Sequence, residues 1–193
     1  MAVASAPPRS SSNVSTPDPF DNLEDSSPNP SGPGHPDDER FMALAFEEAQ
    51  RAAGRDEVPI GCVIVREGMV LGRAHNLTRT HTDPTCHAEM LAISQAARRL
   101  GVMRLVGATV YITVEPCFMC AGALVHARVK RVVWAVRDPK FGGCASLGTV
   151  LSHPQANHQV EWHEGPMADA SREILQTFFR SKRVVPRVSP GDA

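Results

Sequence analysis

The stretch Ala108-Thr109-Val110-Tyr111-Ile112-Thr113-Val114-Glu115-Pro116-Cys117-Phe118-Met119-Cys120 decides how this chain folds. Its first seven residues alternate and are rich in β-branched side chains, which suit a pleated, half-buried surface, so Ala108–Val114 is expected to be a strand. Pro116 then opens a helix over Cys117–Arg128, because the N–H that proline lacks has no partner in a first turn anyway. Arg131–Val136 follows as the next strand. Strand, helix and strand in succession mark a layered α/β unit.

Reading outward, the alternation continues. Asp37–Ala53 carries Phe41, Leu44, Ala45 and Ala49 at helical spacing, with Asp37 and Asp38 placed to cap it and Gly54 to stop it. Ile60–Val65 and Met69–Ala74 are joined by Arg66-Glu67-Gly68, a turn signal, and read as a hairpin. Asn76–Thr85 is a polar loop in which Pro84 bars helix. His87–Leu100 is a second helix, ended by Gly101. Phe141–His153 reads as loop with room for a short helix, His158–Trp162 as a strand, and Ala168–Lys182 as a last helix. The order predicts a three-layer α/β/α domain with helices on both faces of a mixed five-stranded sheet.

Composition narrows the class. The chain has 193 residues, 42% of them hydrophobic, and a formal net charge of −1. That length suits one domain with a tail. No apolar run nears the ~18 residues that a membrane span needs, and Met1–Ser12 lacks the apolar core of a secretory signal. Residues 1–36 hold eight of the sixteen prolines, eight serines, and four acidic residues against one basic residue, Arg9. That segment has too few large apolar side chains to offset the entropy of ordering. Residues 1–36 are therefore expected to be a disordered tail, 37–183 the folded domain and 184–193 a flexible C-terminal tail. Five cysteines, with one Cys-x-x-Cys pair, point to metal or redox chemistry in a reducing cytoplasm.

Two fragments carry the chemistry. His87-Ala88-Glu89 opens one predicted helix, and Glu115-Pro116-Cys117-Phe118-Met119-Cys120 opens the next. Each follows a loop or strand end, so both helix N-termini are expected on one edge of the sheet, where open α/β sheets gather ligands. Partial positive charge there favours Cys117 and Cys120 as thiolates. One imidazole and two thiolates supply three tetrahedral zinc ligands. Cys62, Cys86 and Cys144 lack paired spacing, so the fourth position is left to water, as in catalytic zinc sites. Glu89, two residues beyond His87, can reach that water without binding the metal and can move its proton. His-x-Glu alone is a weak signal, but Pro-Cys-x-x-Cys arises by chance in well under ~1% of chains this long. A structural zinc site or a redox pair would leave Glu89 unexplained.

The pairing of His-x-Glu with Pro-Cys-x-x-Cys is that of zinc-dependent nucleobase deaminases, and its surroundings resemble the tRNA-specific adenosine deaminase family of bacteria. Val58-Pro59-Ile60-Gly61, Asp83-Pro84-Thr85-Cys86-His87-Ala88-Glu89 and the run from Glu115 to Arg128 carry the resemblance. Arg137-Asp138-Pro139-Lys140, Ser146-Leu147, Asn157-His158 and Phe178-Phe179-Arg180 extend it, to residues 40–183 in all. The resemblance implies a cytidine-deaminase-like fold and hydrolytic deamination of adenosine to inosine at the wobble position of a tRNA anticodon. It implies one zinc ion (Zn2+) per subunit on His87, Cys117 and Cys120, with Glu89 as the catalytic proton shuttle. It also implies that Asn76 hydrogen-bonds the target nucleoside and that Asp138 lies near the ribose-phosphate of the loop. Phe179 and Arg180, at the basic end of the last helix, would meet flanking anticodon nucleotides. The implied partners are the tRNA anticodon loop and a second copy of the chain in a homodimer.

On chemistry alone, Val58 and Val114 are candidates to clasp a base splayed out of an RNA loop. A deaminase of free guanine, cytosine or cytidylate would use the same zinc chemistry without needing Arg137–Lys140 or Phe178-Phe179-Arg180. A noncatalytic zinc-containing RNA-binding subunit would have no use for Glu89. Elsewhere, His126 reads as a core or interface histidine, Cys62, Cys86 and Cys144 as small buried side chains, and Trp134 and Trp162 as core or interface aromatics. Positive charge gathers at Arg128, Lys130, Arg131, Arg137 and Lys140, and again from Arg180 to Arg187. Ten aromatic residues in all argue against an extended stacking surface.

Overall fold

The hairpin forms where the turn signal lies. β1 (Gly61–Arg66) and β2 (Met69–His75) are joined by Glu67 and Gly68, whose φ angles of 51° and 75° match the twist of the flanking strands. β1 also pairs antiparallel with β3 (Thr109–Val114). β3 runs parallel to β4 (Arg131–Val136), and β4 parallel to β5 (Glu161–Glu164). The result is a mixed five-stranded sheet in the order β2-β1-β3-β4-β5. The computed structural model describes residues 35–183; the expected C-terminal tail, and the expected N-terminal tail apart from residues 35 and 36, lie outside the described residues.

The period of two along β1 and β3 divides their side chains between two cores. On one face, Phe41, Met42 and Ala45 of α1 (Asp38–Ala53) meet Val63, Tyr111 and Val133. On the other, α2 (Ala88–Leu100) and α3 (Phe118–His126) bring Ala92, Ala96 and Leu124 onto Ile64, Val110 and Ile112. α4 (Ala168–Arg183) lies beside α1 and sets Leu175 against Val114 and Val136. Helices thus cover both faces of the sheet. Small residues let the layers close: a Cβ on Gly72 would fall 2.3 Å from the Ala92 carbonyl oxygen of α2.

Several local readings need correction. Asp38 does not cap its helix; it is buried and grips Arg131, so that arginine is no part of a positive surface. β5 begins at Glu161, not His158, because His158 Nε2 is engaged with the Val129 carbonyl at 2.7 Å and Val160 N–H with Leu151 O at 2.8 Å. Phe141–His153 forms turns and no helix. His126 is exposed at the last residue of α3 and so is no core histidine, and Cys86 is only half-buried, while Cys62 and Cys144 are buried as expected. Trp134 and Trp162 are core residues, stacked with centroids 4.8 Å apart and rings inclined by 19°. Among the described residues, no helix is long and apolar enough to cross a membrane.

Candidate active site

The motif residues begin α2 and α3. His87 and Cys117 are their N-caps, both in extended conformation (φ −72°, ψ 154° and φ −67°, ψ 170°). Cys120, three residues into α3, returns to the side of Cys117 by helical periodicity. Two chain segments thirty residues apart thereby converge. Nδ1 of His87 lies 3.7 Å from Cys117 Sγ and 3.5 Å from Cys120 Sγ, and the three donor atoms lie within 4.8 Å of one another. A nitrogen and two sulfurs at this spacing can hold a single metal ion.

The two cysteines are shifted in opposite directions. A hydrogen bond from the Cys120 thiol, against the effect of burial and aided by His87, lowers Cys117 to about 4. The same bond, with burial, raises Cys120. Two negative sulfurs this close repel, which is why the two shifts run in opposite directions. His87 is raised by its bond to Cys117. Glu89, in the first turn of α2, is 4% exposed, and burial pushes its carboxyl up to about 7.

His87, Glu89 and Cys117 open into a cleft of about 660 Å³. Val58, Ile60, Val114 and Leu175 give it apolar walls, while Asn76, Thr78 and Asp138 add polar groups. Such a mixture, largely apolar with a few placed polar atoms, characterises sites for small organic groups. The cleft also carries Lys140, Phe141, Phe179, Lys182 and Arg183.

The MafB19-like deaminase family model matches residues 36–183. The tRNA-specific adenosine deaminase of Aquifex aeolicus is 45% identical over 145 residues, covering 75% of this chain and 95% of that protein. That of Bacillus subtilis is 45% identical over 146 residues, covering 76% and 91%. A solved structure, from biochemical and structural studies of A-to-I editing by tRNA:A34 deaminases at the wobble position of transfer RNA, superposes with a TM-score of 0.69 and 44% identity. It spans 71% of this chain and 99% of the other. The chain belongs to the tRNA-specific adenosine deaminase family.

In this deaminase, Val58, Asn76, Val114, Asp138 and Phe179 all line the cleft that holds His87, Glu89 and Cys117. Arg180 lies outside that wall: it is exposed, with Nη2 on Thr177 Oγ1 at 3.3 Å, and Lys182 and Arg183 reach the cleft instead. Asn76 is buried, and its Oδ1 accepts the Ala88 N–H at 2.9 Å, which ties the loop to the start of α2. The Asn76 amide NH2 remains as its donor to the cleft.

Two buried carboxylates organise the walls, and neither was singled out by sequence reasoning. Glu57 Oε1 accepts the Thr80 N–H at 2.6 Å, and Oε2 accepts the Arg79 N–H at 3.1 Å and the Thr78 hydroxyl at 3.2 Å. It holds the loop that carries Asn76. Glu115 Oε1 accepts the amides of Cys144, Ala145 and Ser146 at 3.0, 2.7 and 2.9 Å. Its Oε2 accepts the Asp138 N–H at 3.1 Å and the Ser146 hydroxyl. One side chain at the end of β3 therefore clamps the whole 138–146 loop. A Cβ at Gly142 would fall 2.4 Å from that carboxylate, so the clamp closes only over glycine.

Proposed function

We propose that this protein deaminates adenosine to inosine at the wobble position of a tRNA anticodon, as a cytoplasmic homodimer with one zinc ion per subunit. The observation that carries the reading is the convergence of His87, Cys117 and Cys120 beside buried Glu89, in a cleft with apolar walls and a basic, aromatic rim. Zinc suits the donors: tetrahedral bonds of ~2.05 Å to nitrogen and ~2.3 Å to sulfur put N and S about 3.6 Å apart, against 3.7 and 3.5 Å here. Held there, zinc supplies the Lewis acidity that makes water nucleophilic near neutral pH.

The chain's own residues do the rest. Val58, Ile60 and Val114 take the splayed adenine and exclude bulk water. The Asn76 amide holds the nucleoside in register. Glu89, close enough to the metal donors to act but not among them, receives the proton of the attacking water. It delivers that proton to adenine N1 and then assists ammonia's departure. Asp138, Lys140 and the end of α4 meet the ribose-phosphate and the flanking nucleotides. Phe118 and Leu147, 50% and 55% exposed, supply apolar surface for a second copy.

The test offers the purified protein an anticodon stem-loop with wobble adenosine, beside free guanine, cytosine and cytidine, and identifies products by mass. Inosine in the stem-loop is expected. Conversion of a free base or cytidine with the stem-loop untouched would overturn the reading.

A further inference from the structure

We propose that Phe141 is a stacking platform for the base adjacent to the target adenosine, and so a determinant of how tightly the anticodon loop is held; this rests on the tRNA reading above. Among the described residues Phe141 is the most exposed aromatic, at 66%, and it belongs to the wall of the cleft that holds His87 and Glu89. Its place at the mouth of the site, not its exposure alone, makes the ring available to a base entering the cleft.

Its backbone is held, not loose. The Asp138 carboxylate accepts the Phe141 N–H at 3.1 Å and the Lys140 N–H at 2.9 Å, and the Gly142 N–H bonds the Asp138 carbonyl at 2.9 Å. Glu115 pins the loop on both sides, through Asp138 and through Cys144–Ser146. A ring presented on a fixed loop loses little freedom when a partner lands on it. The chemistry of its neighbours fits a nucleotide: Lys140 offers a point charge to phosphate, and the apolar interior has room for the target base. Bases splayed from single-stranded RNA stack on aromatic faces in this way.

Steady-state deamination of the stem-loop by wild type, Phe141→Ala, Phe141→Leu and Phe141→Trp tests the assignment. Phe141→Ala should raise KM roughly 5- to 100-fold, the range of a base–aromatic stack, and lower kcat much less. Phe141→Trp should stay close to wild type and Phe141→Leu should resemble alanine. Thermal midpoints should coincide, since the ring packs on little. With an abasic nucleotide placed on either side of the adenosine, one of the two RNAs should erase the difference between wild type and Phe141→Ala. An unmoved KM, equal losses for Trp and Ala, or additive losses with both abasic RNAs would overturn the platform while leaving the tRNA reading intact. A wild type inert toward the stem-loop would overturn both.

Discussion

Arg131 closes a two-pronged salt bridge on Asp38, Nη1 to Oδ1 and Nη2 to Oδ2, each at 2.7 Å, joining the first residue of β4 to the first turn of α1. Tyr111 adds its hydroxyl to Asp38 Oδ1 at 3.0 Å. Both charged side chains are about nine-tenths buried, so removing one strands the other.

Asp38→Asn should cost about 3–5 kcal/mol, the range for a broken buried pair, read as a lower midpoint in denaturant. Burial by itself would raise the Asp38 pKa, but the Arg131 guanidinium, the His35 amide and Tyr111 outweigh it and hold it below 3.8. A carboxylate lowered on folding contributes fully above its unfolded pKa and loses that contribution as pH falls through its folded value. The stability gap between wild type and Asp38→Asn should thus be constant near neutrality and narrow below about pH 4.

Glu89→Gln preserves shape while removing the proton acceptor. Metal analysis should still find about one zinc per chain, and turnover should drop ~10²–10⁴-fold, the usual contribution of a general acid–base. A near-normal rate would exclude the shuttle.

Asn76 faces two ways, toward the Ala88 N–H and toward the cleft. Asn76→Asp keeps the acceptor for the Ala88 N–H and loses the donor, but it sets a carboxyl group in a buried position, so the melting midpoint should fall as well. One lost hydrogen bond, at about 1–3 kcal/mol, predicts a kcat/KM roughly 5- to 100-fold lower. Asn76→Ala should lose stability as well, because the Ala88 amide is left without its partner.

Glu115→Gln sets an NH2 group against amides and a hydroxyl that all donate. The 138–146 loop should then exchange its amide hydrogens faster and admit protease, while β3 and α3 stay protected. Turnover should suffer through KM, since Asp138, Lys140 and Phe141 ride on that loop. Protection unchanged across the loop would show that the clamp is dispensable.

Local signals account for most of what was readable in advance. β-branched alternation marked β3, a Glu-Gly pair marked the hairpin, and Pro116 marked the start of α3. The three side chains that could hold a metal, His87, Cys117 and Cys120, were legible because helix starts and Cys-x-x-Cys spacing are short-range patterns. Glu115 was not: a carboxylate beside a proline looks like ordinary strand punctuation until Ser146, thirty-one residues away, folds back onto it. Arg131 read as surface charge because its partner lies ninety-three residues upstream. The onset of β5 depended on His158 finding Val129, again a contact between distant segments. Phe141 carried no signal at all, since one aromatic residue in a glycine-containing loop has no period.

The stacked pair of Trp134 and Trp162 contains both tryptophans of the chain, one on β4 and one on β5. The protein therefore bears its own optical label at a single place, the far margin of the sheet. Coupled indoles give an exciton couplet in circular dichroism, and detaching β5 would extinguish that couplet before the remaining strands part. Because Trp134 also pairs with Ile112 of β3, fluorescence follows the parting of β3, β4 and β5, and it carries no label on the β1–β2 hairpin.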